Sequence, residues 1–332
     1  MLRLFSVLLI PFTLSAQSKR FEFSQNKMGS PFHLIFYHTD STEASSLAKE
    51  CFSIVDSLNA IFSDYSSESE TGKLALQPIY KNVKVSDELF AMISGCNRAW
   101  LSSDRAFDIT IGALTRLWRK ARSENRFPPD DEIKQAKRST GFENLIIHTR
   151  GKTISFAQNG MSLDFGGIAK GYAAQKLVDH LKNKNVSIAL ADAGGDIAMS
   201  DAPPGKNGWS IGVNLPGMED EVMDRKLELK NCAVATSGDI YNYILHNGKK
   251  YSHIIDPRTG YGVTSRRNVT VIAKDGATAD WLATACSILP VKKALALAKK
   301  ENAALLIAMI RNEKIITYKT KNFDSYFQKK LQ

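Results

Sequence analysis

The stretch from Ser162 to Ala173, Ser-Leu-Asp-Phe-Gly-Gly-Ile-Ala-Lys-Gly-Tyr-Ala, constrains the fold more than any other part of the chain. It predicts a short extended run, a turn at a glycine pair, and a helix over residues 168–181. The backbone N–H groups at a helix start have no partners within the helix and favour an anion. Gly166 and Gly167 allow a bulky group to approach the main chain closely.

Two charged residues flank this turn: Asp164 precedes it, and Lys170 falls in the first turn of the helix. A lysine beside a glycine-rich helix start indicates a phosphate site. An ordinary strand-to-helix turn with a surface lysine explains the same pattern equally well. The turn is not a Walker loop, because the spacing of that motif is absent.

The composition is that of a globular protein. Of the 332 residues, 43% are hydrophobic, 23% charged and 9% aromatic, which is enough for one large domain or two smaller ones. The formal charge of +10 favours acidic ligands. The basic residues are scattered, however, and no block of lysine and arginine dominates, so we expect no nucleic-acid partner.

Residues 1–16 have the pattern of a secretory signal peptide. Arg3 gives a positive start, Leu4 to Leu14 are largely apolar, and Ser15-Ala16 precede a polar run. The apolar stretch is too short to span a bilayer, which needs about 20 apolar residues. We expect cleavage after Ala16 and an exported mature chain over residues 17–332.

The four cysteines are isolated in sequence, and none belongs to a Cys-x-x-Cys pair that would indicate a zinc or redox site. Three disulfide pairings are possible in an exported protein, and the sequence selects none of them. Single buried thiols are the default interpretation for Cys51, Cys96, Cys232 and Cys286.

Hydrophobic periodicity predicts an α+β fold, in which helices pack on an antiparallel or mixed sheet within one domain. Residues 41–62 form the longest predicted amphipathic helix. Residues 63–72 are interpreted as a polar loop, 105–110 as a strand-like or turn segment, and 119–141 as an exposed helical insertion. Further helices are predicted at 86–102, 277–289 and 291–301, and strands at 21–23, 32–37, 153–156, 186–191, 209–213, 232–236, 251–255, 268–273, 305–310 and 314–318.

One predicted helix carries a possible metal site. Asp280 and Thr284 are four residues apart in Thr278-Ala-Asp-Trp-Leu-Ala-Thr-Ala-Cys286, so their oxygens lie on one face. A carboxylate with a hydroxyl suits Mg²⁺, which takes few protein ligands and keeps waters or substrate phosphates. Alternatively, Asp280 merely stabilises the start of the helix.

His253 lies two residues after Tyr251 in a predicted apolar strand. A lone histidine at such a position is usually a structural residue. It becomes a candidate general base only if a phosphate and a metal lie close to it, since histidine is the usual base near neutral pH.

Five motifs together resemble the ApbE family of FAD:protein FMN transferases. Each alone is weak, but they stand in the family's order and spacing, and the resemblance covers Met28 to Tyr318. The motifs are Asp164-Phe-Gly-Gly-Ile-Ala-Lys-Gly-Tyr-Ala, Asp192-Ala-Gly-Gly-Asp, Thr236-Ser-Gly-Asp, His253-Ile-Ile-Asp-Pro-Arg-Thr-Gly and Ala279-Asp-Trp-Leu-Ala-Thr-Ala.

The resemblance implies FAD as substrate and Mg²⁺ as cofactor. A threonine or serine hydroxyl of a client protein attacks the FAD pyrophosphate, FMN becomes linked through a phosphoester, and AMP leaves. The resemblance also assigns roles: Gly167 (through its carbonyl), Asp280 and Thr284 match metal ligands, and His253 matches the base. Positions that match contacts with FAD are Met28, Tyr65, Ala106, Phe107, Asp108, Asp164, Lys170 and Ile254.

Two departures from the family pattern stand out: Asp192 replaces the more usual asparagine, and Trp281 is bulkier than the common alanine, so it either shifts the helix packing or lines the nucleotide pocket. Clients of the family are often membrane-associated redox subunits, which fits a location in the periplasm or at the outer face of the inner membrane. Two alternatives stay open, a Mg²⁺-dependent FAD pyrophosphatase that yields FMN and AMP, and a periplasmic flavin-binding protein without turnover.

Overall fold

The computed structural model describes residues 17–216, 222–238 and 242–328. The predicted signal peptide at 1–16 and its cleavage position lie outside the described residues. Asp239, the last residue of the Thr236-Ser-Gly-Asp motif, lies outside them as well. Within the described residues, no helix is long and apolar enough to cross a membrane.

Most of the predicted elements are present, with small shifts at their ends. The helices are α1 (Ser41–Phe62), α2 (Glu70–Ala75), α3 (Asp87–Ser102), α4 (Gly112–Ser123), α5 (Asp130–Arg138), α6 (Ala169–Asn183), α7 (Gly276–Ile288) and α8 (Val291–Lys300). The strands are β1 (Lys19–Lys27), β2 (Ser30–His38), β3 (Val83–Lys84), β4 (Leu145–His148), β5 (Thr153–Phe156), β6 (Ala189–Ala193), β7 (Ile197–Met199), β8 (Trp209–Ile211), β9 (Leu227–Leu229), β10 (Cys232–Gly238), β11 (Tyr243–His246), β12 (Lys249–Ser252), β13 (Arg267–Ala273), β14 (Ala304–Arg311) and β15 (Lys314–Lys319).

The centre of the fold is a sheet with the strand order β1-β2-β6-β7-β10-β13-β14-β15. Every neighbouring pair in it is antiparallel. The α+β prediction is therefore confirmed, and of the two sheet types expected the antiparallel one is found.

The sheet buries both of its faces because successive side chains of a strand point to opposite sides. In β13, Val269 and Val271 join the main core, which also contains the buried faces of α1, α3, α6 and α7. Ile272 instead joins a second core on the other face, around Trp209 and Phe323. Three of the four cysteines are buried and Cys232 is partly buried, and all four are free thiols, as expected.

A third, smaller core lies apart from the sheet. It packs α4 and α5 against the β11–β12 hairpin and the turn that follows it, around buried Leu114, Trp118, Ile133 and Ile255. The Nε1 atom of Trp118 donates to the carbonyl of Gly260 at 2.9 Å. This core supports one wall of the candidate site described below.

The structure decides one local alternative and corrects two local predictions. Of the strand-like and turn alternatives for this segment, the turn is found: residues 109–111 form a 3₁₀ turn that leads into α4, because the Asp108 carboxylate accepts from the Thr110 amide at 2.7 Å and caps it. The predicted loop 63–72 contains the start of α2. The stretch 119–141 is helical, as expected, but it is not simply exposed, since Ala121 and Ile133 are buried in the molecule.

Helices α6 and α7 cross in backbone contact. A Cβ atom added at Gly171 would collide with the carbonyl of Gly276, and one added at Gly276 would collide with the carbonyl of Gly171. Only glycine allows this approach at both positions. As a result, the first turns of the two helices lie side by side at the edge of the candidate site.

Candidate functional site

A cavity of about 340 Å³ opens between the α6–α7 crossing and α4. All but one of the site residues predicted from the sequence line it. The exception is Met28, which lies at the tip of the β1–β2 hairpin with φ of 48° and packs against the main core. The predicted residues that line the cavity are Tyr65, Ala106, Phe107, Asp108, Asp164, Gly167, Lys170, His253, Ile254, Asp280 and Thr284.

The glycine turn before α6 is held by Asp164. Its Oδ1 atom accepts from the amide of Gly166 at 2.7 Å, and its own amide donates to the carbonyl of Ile109 at 2.7 Å. These contacts place both glycines and the start of α6 on the floor of the cavity. The predicted turn and helix are therefore confirmed, and the helix begins at Ala169.

Asp280 and Thr284 project from α7 beside this turn. Asp280 is 5% exposed, and its Oδ2 atom accepts from the Gly171 amide at 3.0 Å. It does not cap its helix, since the cap of α7 is Asp275. Thr284 lies one turn further along, and a Cβ atom added at Gly167 would lie 2.8 Å from the Thr284 hydroxyl oxygen. The three predicted metal ligands are therefore adjacent.

The donor chemistry of these three residues fits a hard cation. Burial raises the pKa of Asp280 well above its usual range, and the nearby charge of Asp196 raises it further. A divalent ion at this point would stabilise the buried carboxylate, and hydroxyl and carbonyl oxygens would complete the protein ligands. No group of three or more His, Cys, Asp and Glu side chains suited to a metal occurs in the described ranges, so a metal here depends on such oxygens.

Lys170 is paired with a residue that the sequence analysis did not single out. Its ammonium lies 2.7 Å from the carboxylate of Asp196, whose side chain is 7% exposed. Burial alone would lower the pKa of Lys170, but the charges of Asp196 and Asp280 outweigh it and the net shift is upward. Lys170 therefore stays positively charged at the start of α6, where it faces the cavity.

The second glycine pair explains how Asp196 reaches this position. Gly194 and Gly195 have φ angles of 68° and 96°, in the left-handed region that favours glycine. The Asp192 carboxylate accepts from the Gly195 amide at 2.7 Å and holds the turn. An asparagine would accept the same bond, so the departure from the family pattern at this position is conservative. The Asp-Ala-Gly-Gly-Asp spacing was the available signal for Asp196.

His253 lies just past the end of β12 rather than within a strand. Its Nδ1 atom is 3.2 Å from the carbonyl of Asn242. A carbonyl can only accept, so Nδ1 carries the hydrogen and Nε2 keeps a free lone pair. His253 is an exposed residue, yet protein atoms surround most of its ring. This desolvation lowers its pKa, the charges of Arg122 and Lys170 lower it further, and the Asn242 contact opposes them.

The opposite wall comes from α4, which sequence reasoning missed. Four of its side chains at helical spacing line the cavity: Thr115, Trp118, Arg119 and Arg122. If the sequence analysis had predicted a helix from residue 112, the helical spacing of these four residues would have placed them on one face. Buried Asp108, at the base of this wall, has its pKa raised to about 6, mainly by burial and against its contacts with Thr110.

Trp281 does not line this cavity. It packs against Phe107, with ring centroids 5.9 Å apart, and lines a separate cavity beside α3 and Tyr172. Of the two sequence interpretations, the structure therefore favours the one in which Trp281 affects the packing around its helix. Trp281 lies behind Phe107 because it is the next residue after Asp280 and so points to another face of α7.

The fold and the site together define a class of protein: an α+β protein whose cavity combines a helix start, a charged lysine, hard oxygen donors and a histidine with a free lone pair. These groups are suited to binding a phosphate-containing ligand together with a divalent cation. The sequence profile of the ApbE family matches residues 28–307. The chain therefore belongs to the ApbE family.

Individual relatives agree over nearly the whole chain. It is 26% identical over 307 residues to the FAD:protein FMN transferase of Vibrio cholerae, covering 91% of each chain. It is 28% identical over 302 residues to that of Klebsiella pneumoniae, covering 91% of this chain and 92% of the relative. The apo flavinyl transferase ApbE of Pseudomonas stutzeri has the same fold, with a TM-score of 0.83 and 30% identity over 94% of this chain and 98% of that one.

Proposed function

We propose that this chain is a Mg²⁺-dependent FAD:protein FMN transferase. The names of its relatives support transfer of FMN from FAD to a protein. The observation that carries the proposal is the arrangement of Asp280, Thr284 and Gly167 in the same cavity as Lys170 and His253. A flavin-binding protein without turnover would need neither the buried carboxylate nor the base.

In the proposed reaction, a threonine or serine hydroxyl of a client protein attacks the phosphorus of the FMN half of FAD. A new P–O bond forms, the bond to the AMP phosphate breaks, and AMP leaves. Mg²⁺, held by Asp280, Thr284 and the carbonyl of Gly167, would neutralise charge on the phosphates. The new product is an FMN phosphoester on the client.

The residues of the chain have separate tasks in this scheme. Nε2 of His253 takes the proton of the client hydroxyl, which it can do because its lone pair is free and its pKa is low. Lys170 and the amides at the start of α6 hold the pyrophosphate by charge and hydrogen bonding. Asp164, Tyr65, Ile254 and the 106–108 segment would contact the rest of FAD from the cavity walls.

We also propose that the protein is exported and acts on a membrane-associated redox subunit in the periplasm or at the outer face of the inner membrane. This rests on the signal pattern at 1–16 and on the client class of the family. Fractionation of cells that produce the tagged full chain tests it. Recovery of the uncleaved protein in the cytoplasm would contradict it.

The test of the reaction is to incubate the purified protein with FAD and Mg²⁺, with and without an acceptor domain that carries an Asp-x-x-Thr-Gly-Ala-Thr segment. AMP release and the acceptor mass are followed together. A flavin-sized mass gain that a chelator abolishes is the expected result. AMP without a mass gain would indicate the FAD pyrophosphatase, and bound FAD without either product would indicate a binding protein.

A further inference from the structure

The β11–β12 hairpin presents two large apolar side chains to solvent. Tyr243 is 44% exposed and Leu245 is 68% exposed. Their neighbours in β11 face the other way: Ile244 packs on the third core, and His246 stacks on Phe127 with ring centroids 4.0 Å apart. Because side chains alternate along a strand, Tyr243 and Leu245 lie together on the outer face of the hairpin.

The backbone of β11 is open along its outer edge. The other strand, β12, is covered on its far side, where the Ser252 amide donates to the carbonyl of Val263 at 2.9 Å. That amide points away from β11, so Tyr243 and Ser252 form a non-hydrogen-bonded pair of the ladder, and by alternation Leu245 and Lys250 form another. The amides and carbonyls of Tyr243 and Leu245 therefore point to the outer edge, where the described part of the chain offers them no backbone partner.

The start of this open edge lies next to the proposed base. The carbonyl of Asn242, the residue before β11, accepts from the His253 amide at 2.8 Å and lies 3.2 Å from Nδ1 of the same residue. A client hydroxyl must come within hydrogen-bond reach of Nε2 to give up its proton. The client chain must therefore pass close to this end of β11, from which the strand extends for about 13 Å.

The hairpin is also basic. From Asn242 to Ser252 it carries Lys249 and Lys250 and no acidic residue. The ammonium of Lys250 lies 4.1 Å from the centroid of the Tyr243 ring, which puts positive charge beside the exposed apolar pair. Lysines at an open edge oppose pairing with a second copy of the same hairpin, because like charges would meet. They favour an extended partner that carries acidic residues.

We propose that the acceptor segment of the client binds as an added strand along the open edge of β11. Its apolar side chains pack on Tyr243 and Leu245, and its acidic side chains lie near Lys249. This inference rests on the proposed function, because it assumes that a client hydroxyl reaches His253. Main-chain hydrogen bonds supply affinity for an extended chain, and the side-chain contacts supply selection. Docking is separate from FAD binding, since neither Tyr243 nor Leu245 lines the cavity.

The first experiment measures KM for the acceptor domain, at saturating FAD and Mg²⁺, in variants matched for exposure. Y243S and L245S remove the apolar pair. The controls are Y80S and L101S, at positions that are 64% and 66% exposed and do not line the cavity. We expect Y243S and L245S each to raise KM for the acceptor by about tenfold. Both should leave kcat and KM for FAD within about twofold, and the controls should behave like wild type.

Two further readouts test the charge and the strand pairing. K249E should raise KM for the acceptor about threefold at low ionic strength, and the difference should vanish at about 1 M salt, where the Debye length is about 3 Å. In H253A with FAD and Mg²⁺, the acceptor is held without turnover. Its binding should slow hydrogen exchange at the amides of Tyr243 and Leu245, because these amides then donate to the added strand.

Each contrary result has a definite meaning. A wild-type KM for the acceptor in both Y243S and L245S would overturn the inference, as would unchanged exchange of the β11 amides. Loss of FAD binding in these variants would overturn it too, because it would indicate damage to the cavity.

Other occupants of the hairpin would also be visible. A change of oligomeric state in L245S, measured by sedimentation, would assign the face to a second copy of the chain. Loss of binding to vesicles of anionic lipid would assign it to a membrane surface, and either result would overturn the inference. If wild type binds FAD and the acceptor but transfers nothing, the proposed function alone fails, and the exchange measurement still decides the docking. A wild-type protein that neither binds nor modifies the acceptor would overturn both.

Discussion

The ammonium of Lys170 lies 2.7 Å from the carboxylate of Asp196, and this pair links the two glycine turns of the site. Lys170 stands in the first turn of α6, whereas Asp196 follows Gly194 and Gly195 at the end of β6. Because Asp196 is buried, it fixes the direction of the lysine before any ligand arrives. The pair also places a positive charge beside the buried Asp280.

Removing Asp196 should therefore impair Lys170 more than it impairs the fold. In D196N the lysine loses its main counter-charge, and burial then favours its neutral form. We expect KM for FAD to rise about tenfold at neutral pH and to recover partly at lower pH, where the lysine regains its proton. The free energy of unfolding should fall by about 2 kcal/mol, the contribution of a hydrogen bond to a charged group. A pH-independent KM in this variant would contradict the assigned role of Lys170.

The buried carboxylate of Asp280 should make metal binding visible in thermal unfolding. The pKa of Asp280 is raised, so its ionised form destabilises the fold at neutral pH when no cation is present. D280N should thus unfold at the same or a higher temperature than wild type in a chelator. Mg²⁺ at 100 times its Kd should stabilise wild type by about 2.7 kcal/mol and leave D280N unchanged. The D280N substitution should also abolish Mg²⁺-dependent AMP release.

The same Mg²⁺ shift in D280N and wild type would remove Asp280 from the metal site. T284V serves as the intermediate case, because it keeps the carboxylate and removes the hydroxyl next to Gly167. We expect weaker Mg²⁺ binding in T284V, and the variant should retain some activity at high Mg²⁺ concentration.

The pH profile of transfer should report His253. Its pKa is lowered from the usual 6.5, so the neutral base persists below that pH. The acid limb of kcat should therefore have its midpoint below pH 6.5. The same shift means that this histidine contributes a stability term that is present above pH 6.5 and lost as the pH falls through the lower, folded pKa.

H253A should lose transfer strongly and keep FAD binding, since Nε2 is assigned to the client hydroxyl and not to the nucleotide. Full transfer activity in H253A would rule out the base role. An acid limb at an unchanged pH in a variant with residual activity would assign that limb to another group, and Asp108, with a pKa of about 6, is the first to examine.

The helix crossing offers a test of the scaffold. A Cβ atom at Gly171 would collide with the Gly276 carbonyl and lie 2.7 Å from the Cβ of Asp280. G171A should lower the free energy of unfolding by at least about 2 kcal/mol and weaken Mg²⁺ binding by displacing Asp280. The control is G95A in α3, where a Cβ would meet only the Arg98 side chain at 3.9 Å. It should be stabilising by about 0.5–1 kcal/mol.

Sequence reasoning reached the parts of the site that are encoded locally. The glycine turn before α6 and the four-residue spacing of Asp280 and Thr284 were both readable, because turn chemistry and helical periodicity act over a few residues. It did not reach Arg119, whose partners Asp64 and Tyr65 lie more than 50 residues away and meet it only through tertiary packing. Sequence reasoning could not choose between a strand and a turn near Thr110, since β-branched Ile-Thr-Ile favours a strand and the Asp108 cap favours the 3₁₀ turn that is found.

The contact of Met28 with FAD stays a prediction of the resemblance to the family. Its sequence position matches a family contact with FAD, yet its side chain packs on the main core and does not line the cavity. The resemblance fixes the position along the chain, whereas the backbone of the β1–β2 turn decides where the side chain points.

The close contact of Gly171 and Gly276 means that related genes can lose function through changes outside the pocket. A single base change that turns either glycine into a larger residue would push the helices apart and move the Gly171 amide, which donates to Asp280, away from that carboxylate. Such a gene product would retain every residue that is expected to touch metal, flavin or client, and would still be less stable and bind Mg²⁺ more weakly. When a related gene is judged for function from its sequence, these two glycines should therefore be examined as well as the residues of the pocket.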